Sequence, residues 1–206
     1  MSPRSIRIAV VAALALAAMA AGMLTARVQA DDTTARAVLH NAAGHRLGTV
    51  KFIQQGDLVL VKAGLDLPAL TGFKGFHIHA NGVCDRNAID PTTGVTVPFF
   101  SAGGHYNPGG TTHGNHGGDM PSLQVNADHT AWSRFKTDHF DVEDIIGRAV
   151  IVHAGADNFG NVPIGPGVTQ YTPNSTGTTN ATATGLTANT GNAGARYACG
   201  VIVAND

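Results

Sequence analysis

The plainest chemistry in this sequence lies in Phe76-His77-Ile78-His79. In a strand, side chains alternate between faces, so Phe76 and Ile78 turn one way and His77 and His79 the other. Two imidazoles two residues apart on one face can chelate a single metal ion; the competing reading is a pair of surface histidines. Further histidines favour ligands. His105 sits in Gly103-Gly104-His105-Tyr106-Asn107-Pro108, His113 and His116 follow, and Asp119 comes three residues later. His153 ends an apolar run, with Asp157 four positions on. Six histidines and a carboxylate suffice for one or two transition metals. Imidazole suits copper, zinc, iron or nickel, and an added carboxylate fits zinc well.

Such residues need a frame, and the chain reads as β. Val, Ile, Phe and Thr cluster in short runs bounded by Gly, Asn, Asp and Pro. Strands are expected at 35–40, 47–54, 57–63, 75–80, 122–126, 131–136, 148–153 and 198–203. Turn residues at 41–44, 55–56 and 126–128 join neighbours. Eight strands at this spacing predict an antiparallel sandwich or barrel. Residues 138–146 read as a loop with a short helix. Trp132 and the other aromatics are expected in the core, and His40, His45, His129 and His139 at the surface or in turns.

Two segments, 81–121 and 154–196, are too long for ordinary connections, and loops of this length in a compact domain are usually functional or disordered. The first holds His105, His113, His116 and Asp119. The second contains an uncharged Thr/Asn/Gly/Ala tract from Tyr171 to Gly194, read as a low-complexity loop. Asn174-Ser-Thr and Asn180-Ala-Thr match the glycosylation acceptor pattern, which such a composition produces by itself.

The first thirty residues differ from the rest. Arg4 and Arg7 precede an apolar stretch from Ile8 to Gly22, and Val28-Gln29-Ala30 fits a small-x-small cleavage site. This predicts a signal peptide over 1–30 and an exported domain over 31–206, free of the membrane after cleavage. In an oxidising compartment the lone pair Cys84 and Cys199 is expected to bridge. Cleavage removes three of 13 Lys plus Arg and leaves 14 Asp plus Glu, so the net charge becomes 10 − 14 = −4. That balance argues against nucleic acid as a partner. It also means that an anionic substrate must be drawn by a local feature.

In order and context, five segments resemble the Cu/Zn superoxide dismutases: 75–79, 101–108, 116–119, 145–153 and 194–202. The resemblance covers nearly the whole chain after residue 30. It implies an all-β, eight-stranded antiparallel Greek-key sandwich or barrel with two long functional loops. By the same resemblance, superoxide is the substrate and copper and zinc are the cofactors. His77, His79, His105 and His153 correspond to copper ligands. His105 would bridge to zinc, with His113, His116 and Asp119 completing the zinc set. Asp157 corresponds to the carboxylate linking a copper-side to a zinc-side histidine, Cys84–Cys199 to the family's disulfide, and Arg196 to the arginine that orients the anion beside copper. His105 and Arg196 would carry the catalysis. The alternative function is an exported copper-buffering module of the same fold; a storage site has no use for Arg196.

Overall fold

In the computed structural model the described residues are 33–159 and 189–205. The signal-peptide segment, both glycosylation motifs and most of the uncharged tract lie outside them. Nine strands are present among the described residues: β1 (Thr34–Asn41), β2 (Arg46–Gln55), β3 (Leu58–Asp66), β4 (Gly72–Lys74), β5 (Phe76–His79), β6 (Leu123–Val125), β7 (Thr130–Thr137), β8 (Ala149–His153) and β9 (Arg196–Ala204). Seven form one antiparallel sheet in the order β5-β8-β9-β1-β2-β3-β7, and β4 pairs with β6. The all-β antiparallel class is as expected. β4 is a ninth strand beyond the eight expected: its three residues, one of them the 60% exposed Phe73, carry no buried–exposed alternation.

The strands bury one face each. Ala35, Ala37 and Leu39 of β1, Val50 and Phe52 of β2, and Val59, Val61, Ala63 and Leu65 of β3 alternate into a common core. Leu123 and Val125 of β6 join it, with Phe76 and Ile78 of β5 and Val150 and Val152 of β8. The residues between them on β8 face a second, smaller core. Ala149 and Ile151 pack there with Phe99, Ala102 and Cys199, and Cys84 lies against the cluster. β8 is therefore buried on both faces, which accounts for its uninterrupted apolar sequence.

The disulfide Cys84–Cys199 ties the 81–121 loop to β9 across 115 positions. The helix expected within 138–146 is a single turn, α1 (Val142–Ile145), where Asp144 accepts the backbone N–H of Asp141. Trp132 departs from expectation: it is 78% exposed. Its strand neighbours Ala131 and Phe135 take the inward side, and its indole lies over Gly64 on β3.

Candidate metal centre

β5 is bonded on both sides, and this fixes the ligand positions. On one side it pairs with β8, His77 opposite Ile151. On the other, loop residues return to it: His77 bridges Asp119 and His79 bridges His105. The amides of Ile78 and Tyr106 donate to Gly118 and Ile78 carbonyls at 2.8 Å each. Phe76 and Ile78 enter the core while His77 and His79 face the loop, as strand alternation requires. At the end of β8 the register with β9 shifts, so that His153 stands opposite Arg196. Such a bulge re-aims a side chain.

Seven candidate ligands converge. His77, His79, His105 and His153 offer ligand atoms within 4.8 Å of one another; His77, His105, His113 and Asp119 form a second such group. All are buried, as is His116. Hydrogen bonds at one nitrogen of each ring decide what the other offers. His79 Nδ1 donates to the Gly103 carbonyl at 2.8 Å and His153 Nδ1 to Gly194 at 3.0 Å. Both Nε2 atoms are therefore bare lone pairs, and they lie 3.4 Å apart. Two acceptors this close cannot bond each other, whereas a cation between them satisfies both.

Asp157 does the same for two more rings. Its Oδ2 holds His77 Nε2 at 2.6 Å and its Oδ1 holds His113 Nε2 at 2.8 Å. That leaves Nδ1 of each ring buried with no hydrogen-bond partner, as is Nε2 of His105. Buried polar atoms are rarely left so. In the second cluster, Asp119 Oδ1 is 3.0 Å from His105 Nδ1 and 3.4 Å from His116 Nδ1. His116 Nδ1 and His105 Nδ1 are 3.3 Å apart, and His113 Nδ1 lies 3.2 Å from Asp119 Oδ2. A tetrahedron with zinc–ligand bonds of about 2.0–2.1 Å has edges of about 3.3–3.4 Å. The donor set and its spacing therefore fit zinc. The all-imidazole cluster beside it suits copper.

The electrostatics ask for positive charge. Burial pushes His77 down to about 4, and it holds His79 and His153 well below the ordinary imidazole range. These rings stay neutral, as ligands must. Burial alone would raise the Asp119 and Asp157 carboxyls, but hydrogen bonds from the histidines outweigh it and hold both well below the usual carboxylate range. His113 lies between the two carboxylates. Burial opposes its charge, yet the neighbouring Asp119 and Asp157 carboxylates raise it to about 9.

Arg196 completes the site. Its Nη1 donates to the Phe99 carbonyl at 2.5 Å and its Nη2 to Gly103 at 2.6 Å. These bonds pin the guanidinium. Sequence reading alone does not reach three backbone features: the Gly103 and Gly194 carbonyls and Gly191. A Cβ at Gly191 would collide with Asp157 Oδ1 and His113 Nε2. The glycines are visible in the sequence, but their closeness to the ligands comes from loop convergence.

Fold and site together define an antiparallel β protein with two adjacent groups of metal-ligating side chains that have His77 and His105 in common. Residues 46–202 match the family model described as copper/zinc superoxide dismutase. The chain belongs to that family. It is 41% identical over 164 residues to the Cu-Zn superoxide dismutases of Mycobacterium tuberculosis and Mycobacterium bovis, covering 77% of this chain and 65% of theirs. The chain thus matches just under two thirds of those relatives' length. It is 30% identical to the Brucella abortus Cu-Zn superoxide dismutase over 182 residues, 84% of this chain and 89% of that one. The solved structure of the Brucella abortus Cu/Zn superoxide dismutase superposes with a TM-score of 0.62 at 29% identity, covering 82% of this chain and 98% of that one.

Proposed function

We propose that this protein is a superoxide dismutase. His77 Nδ1, His79 Nε2, His105 Nε2 and His153 Nε2 would hold copper. His105 Nδ1, His113 Nδ1, His116 Nδ1 and Asp119 would hold zinc. When bound, copper would supply the one-electron oxidation of one superoxide to dioxygen and, with two protons taken up, the one-electron reduction of another to hydrogen peroxide, while zinc would supply fixed positive charge. The carrying observation is the ring of His105: one nitrogen faces each cluster, Nδ1 against Asp119 and Nε2 buried without a protein partner.

The chain's own groups do the rest. Arg196 draws the anion and orients it by its remaining N–H donors; the bonds to Phe99 and Gly103 spare it the cost of being ordered on binding. Nε2 of His105 can hold and release one of the two protons that hydrogen peroxide formation consumes, with Nδ1 keeping the ring in place and the second proton coming from solvent. Asp157 holds His77 and His113 in the tautomer that points Nδ1 inward. A copper-buffering role would leave the pinned cation of Arg196 unexplained.

Export fits this reading. The segment 1–30 has the make-up of a cleavable signal, and no helix among the described residues is long and apolar enough to cross a membrane. A relative from Brugia pahangi, 34% identical, is named an extracellular superoxide dismutase. The decisive experiment is metal analysis of the purified protein with a superoxide-consumption assay. Copper and zinc near one each per chain with rapid consumption support the reading; a copper-loaded sample that leaves superoxide untouched overturns it. N-terminal sequencing after expression with the full leader tests cleavage after Ala30.

A further inference from the structure

On the solvent side of the sheet, four cations stand in one row. The strand register sets Arg36 of β1 opposite Lys51 of β2, Lys51 opposite Lys62 of β3, and Lys62 opposite Arg134 of β7. Opposed residues project from the same face, so all four side chains leave the sheet together, and all four are exposed. Their Cβ atoms follow one another at roughly 5 Å, and like charges so placed are destabilising. Among the described residues, no carboxylate lies within ion-pair distance of any of them. Asp66, at the far end of β3, is the one acid in these four strands. The row takes four of the ten Lys and Arg that follow residue 30, in a stretch with 14 acids.

One residue pair along the same face is Trp132, in register with Gly64 and through it with Thr49. A Cβ at Gly64 would come within 2.8 Å of indole Cζ3, so the missing side chain is what lets the ring lie down on β3. With one side against Gly64 and 78% of the residue exposed, the indole is a fixed platform open to solvent. Arg46, Thr49, Lys51, Lys62, Trp132 and Arg134 line a common groove here.

We propose that this face binds an acidic polysaccharide, a uronic-acid polymer whose sugar ring stacks on Trp132 while its carboxylates pair with the cation row. The row advances by one strand spacing per cation, close to the advance of an extended pyranose chain per sugar. A flat indole beside separate cations matches a polymer that alternates a C–H-rich ring face with a charge. A single-stranded nucleic acid site would carry a succession of aromatic rings for successive bases, where the described residues of this groove offer one indole. A lipid-surface site would need a broad apolar face around them. For an exported protein, such a surface would hold it on an acidic extracellular matrix or envelope glycan.

Trp132 is the only tryptophan, so intrinsic fluorescence reports on the site alone. The metal-loaded protein is titrated with oligogalacturonate of defined length. A saturable change in emission is expected, weakening steeply with added salt. Lys51→Gln combined with Lys62→Gln should weaken binding at least tenfold, and Trp132→Leu, followed by calorimetry, should weaken it as well. Both variants alter exposed positions, and unchanged metal content verifies their fold. A neutral oligoglucan of equal length should bind far less. The proposal is overturned if oligogalacturonate does not bind, if the double variant binds it as tightly, if the neutral glucan binds equally, or if single-stranded DNA or phosphatidylglycerol vesicles bind more tightly.

Discussion

His79 and Arg196 share one acceptor: the carbonyl oxygen of Gly103 takes His79 Nδ1 at 2.8 Å and Arg196 Nη2 at 2.6 Å. The ring proposed to hold copper and the cation proposed to draw the anion are thereby set by the same atom. Arg196→Lys keeps the charge but cannot span Phe99 and Gly103 together. Its kcat/KM for superoxide should fall by roughly tenfold, about 1.4 kcal/mol, with copper content unchanged. Loss of copper together with activity would instead give Arg196 a structural role.

Asp157 bonds both His77 and His113, and removing a carboxylate that orients a ligand typically costs 10–100-fold in metal affinity. Asp157→Asn should lower zinc affinity by about that factor, measured by chelator competition. Gly191→Ala should mimic it. The added methyl would strike the same carboxylate and ring, and the φ of +62° disfavours alanine there.

The metal-free protein should be most stable near pH 6.5. His77, His79 and His153 are depressed from 6.5, His77 to about 4, so their contribution is whole above 6.5 and is lost as pH falls through their folded values. Asp119 and Asp157, also depressed, add to the acid loss below the ordinary carboxylate range. His113, raised to about 9, contributes fully below 6.5 and loses that contribution as pH rises from 6.5 through 9. Denaturant midpoints of metal-free protein from pH 4 to 10 test the shape; a midpoint still rising at pH 9 would contradict the assignment to His113.

Opening Cys84–Cys199 by Cys84→Ser with Cys199→Ser should cost about 2–5 kcal/mol of stability, given the 115-residue separation. Because both cysteines belong to or pack against the small core that holds Phe99 and Ala102, and the Phe99 carbonyl holds Arg196, activity should fall more than metal content does. Urea unfolding and the superoxide assay on one preparation separate the two effects.

Much of this was legible because strands write their period into sequence. Phe76-His77-Ile78-His79 announces which side chains share a face, and eight of the nine described strands carry an apolar pattern that can be read, even the three-residue β6, where Leu123 and Val125 flank Gln124. β3 runs on to Asp66, past the expected end at Ala63, because β7 continues to pair with it. Trp132 departs from its expected burial because bulk predicts burial only on average, and the space above Gly64 that receives its indole lies on another strand. Asp157 was recognisable through family resemblance alone, since a carboxylate four residues after a histidine has no spacing rule that aims it at His113, 44 positions away. The carbonyls that fix His79 and His153 belong to glycines, whose identity says nothing of where their oxygens point.

The loop that returns to β5 has a second consequence. β5 is the last strand of its sheet, and the segments carrying His105 and Asp119 occupy its outer backbone groups. Unpaired, that edge would be a template for a strand from another molecule. Ions that anchor His105, His116 and Asp119 would therefore also be safeguards against self-association, and stripping them should make this chain aggregate before it unfolds.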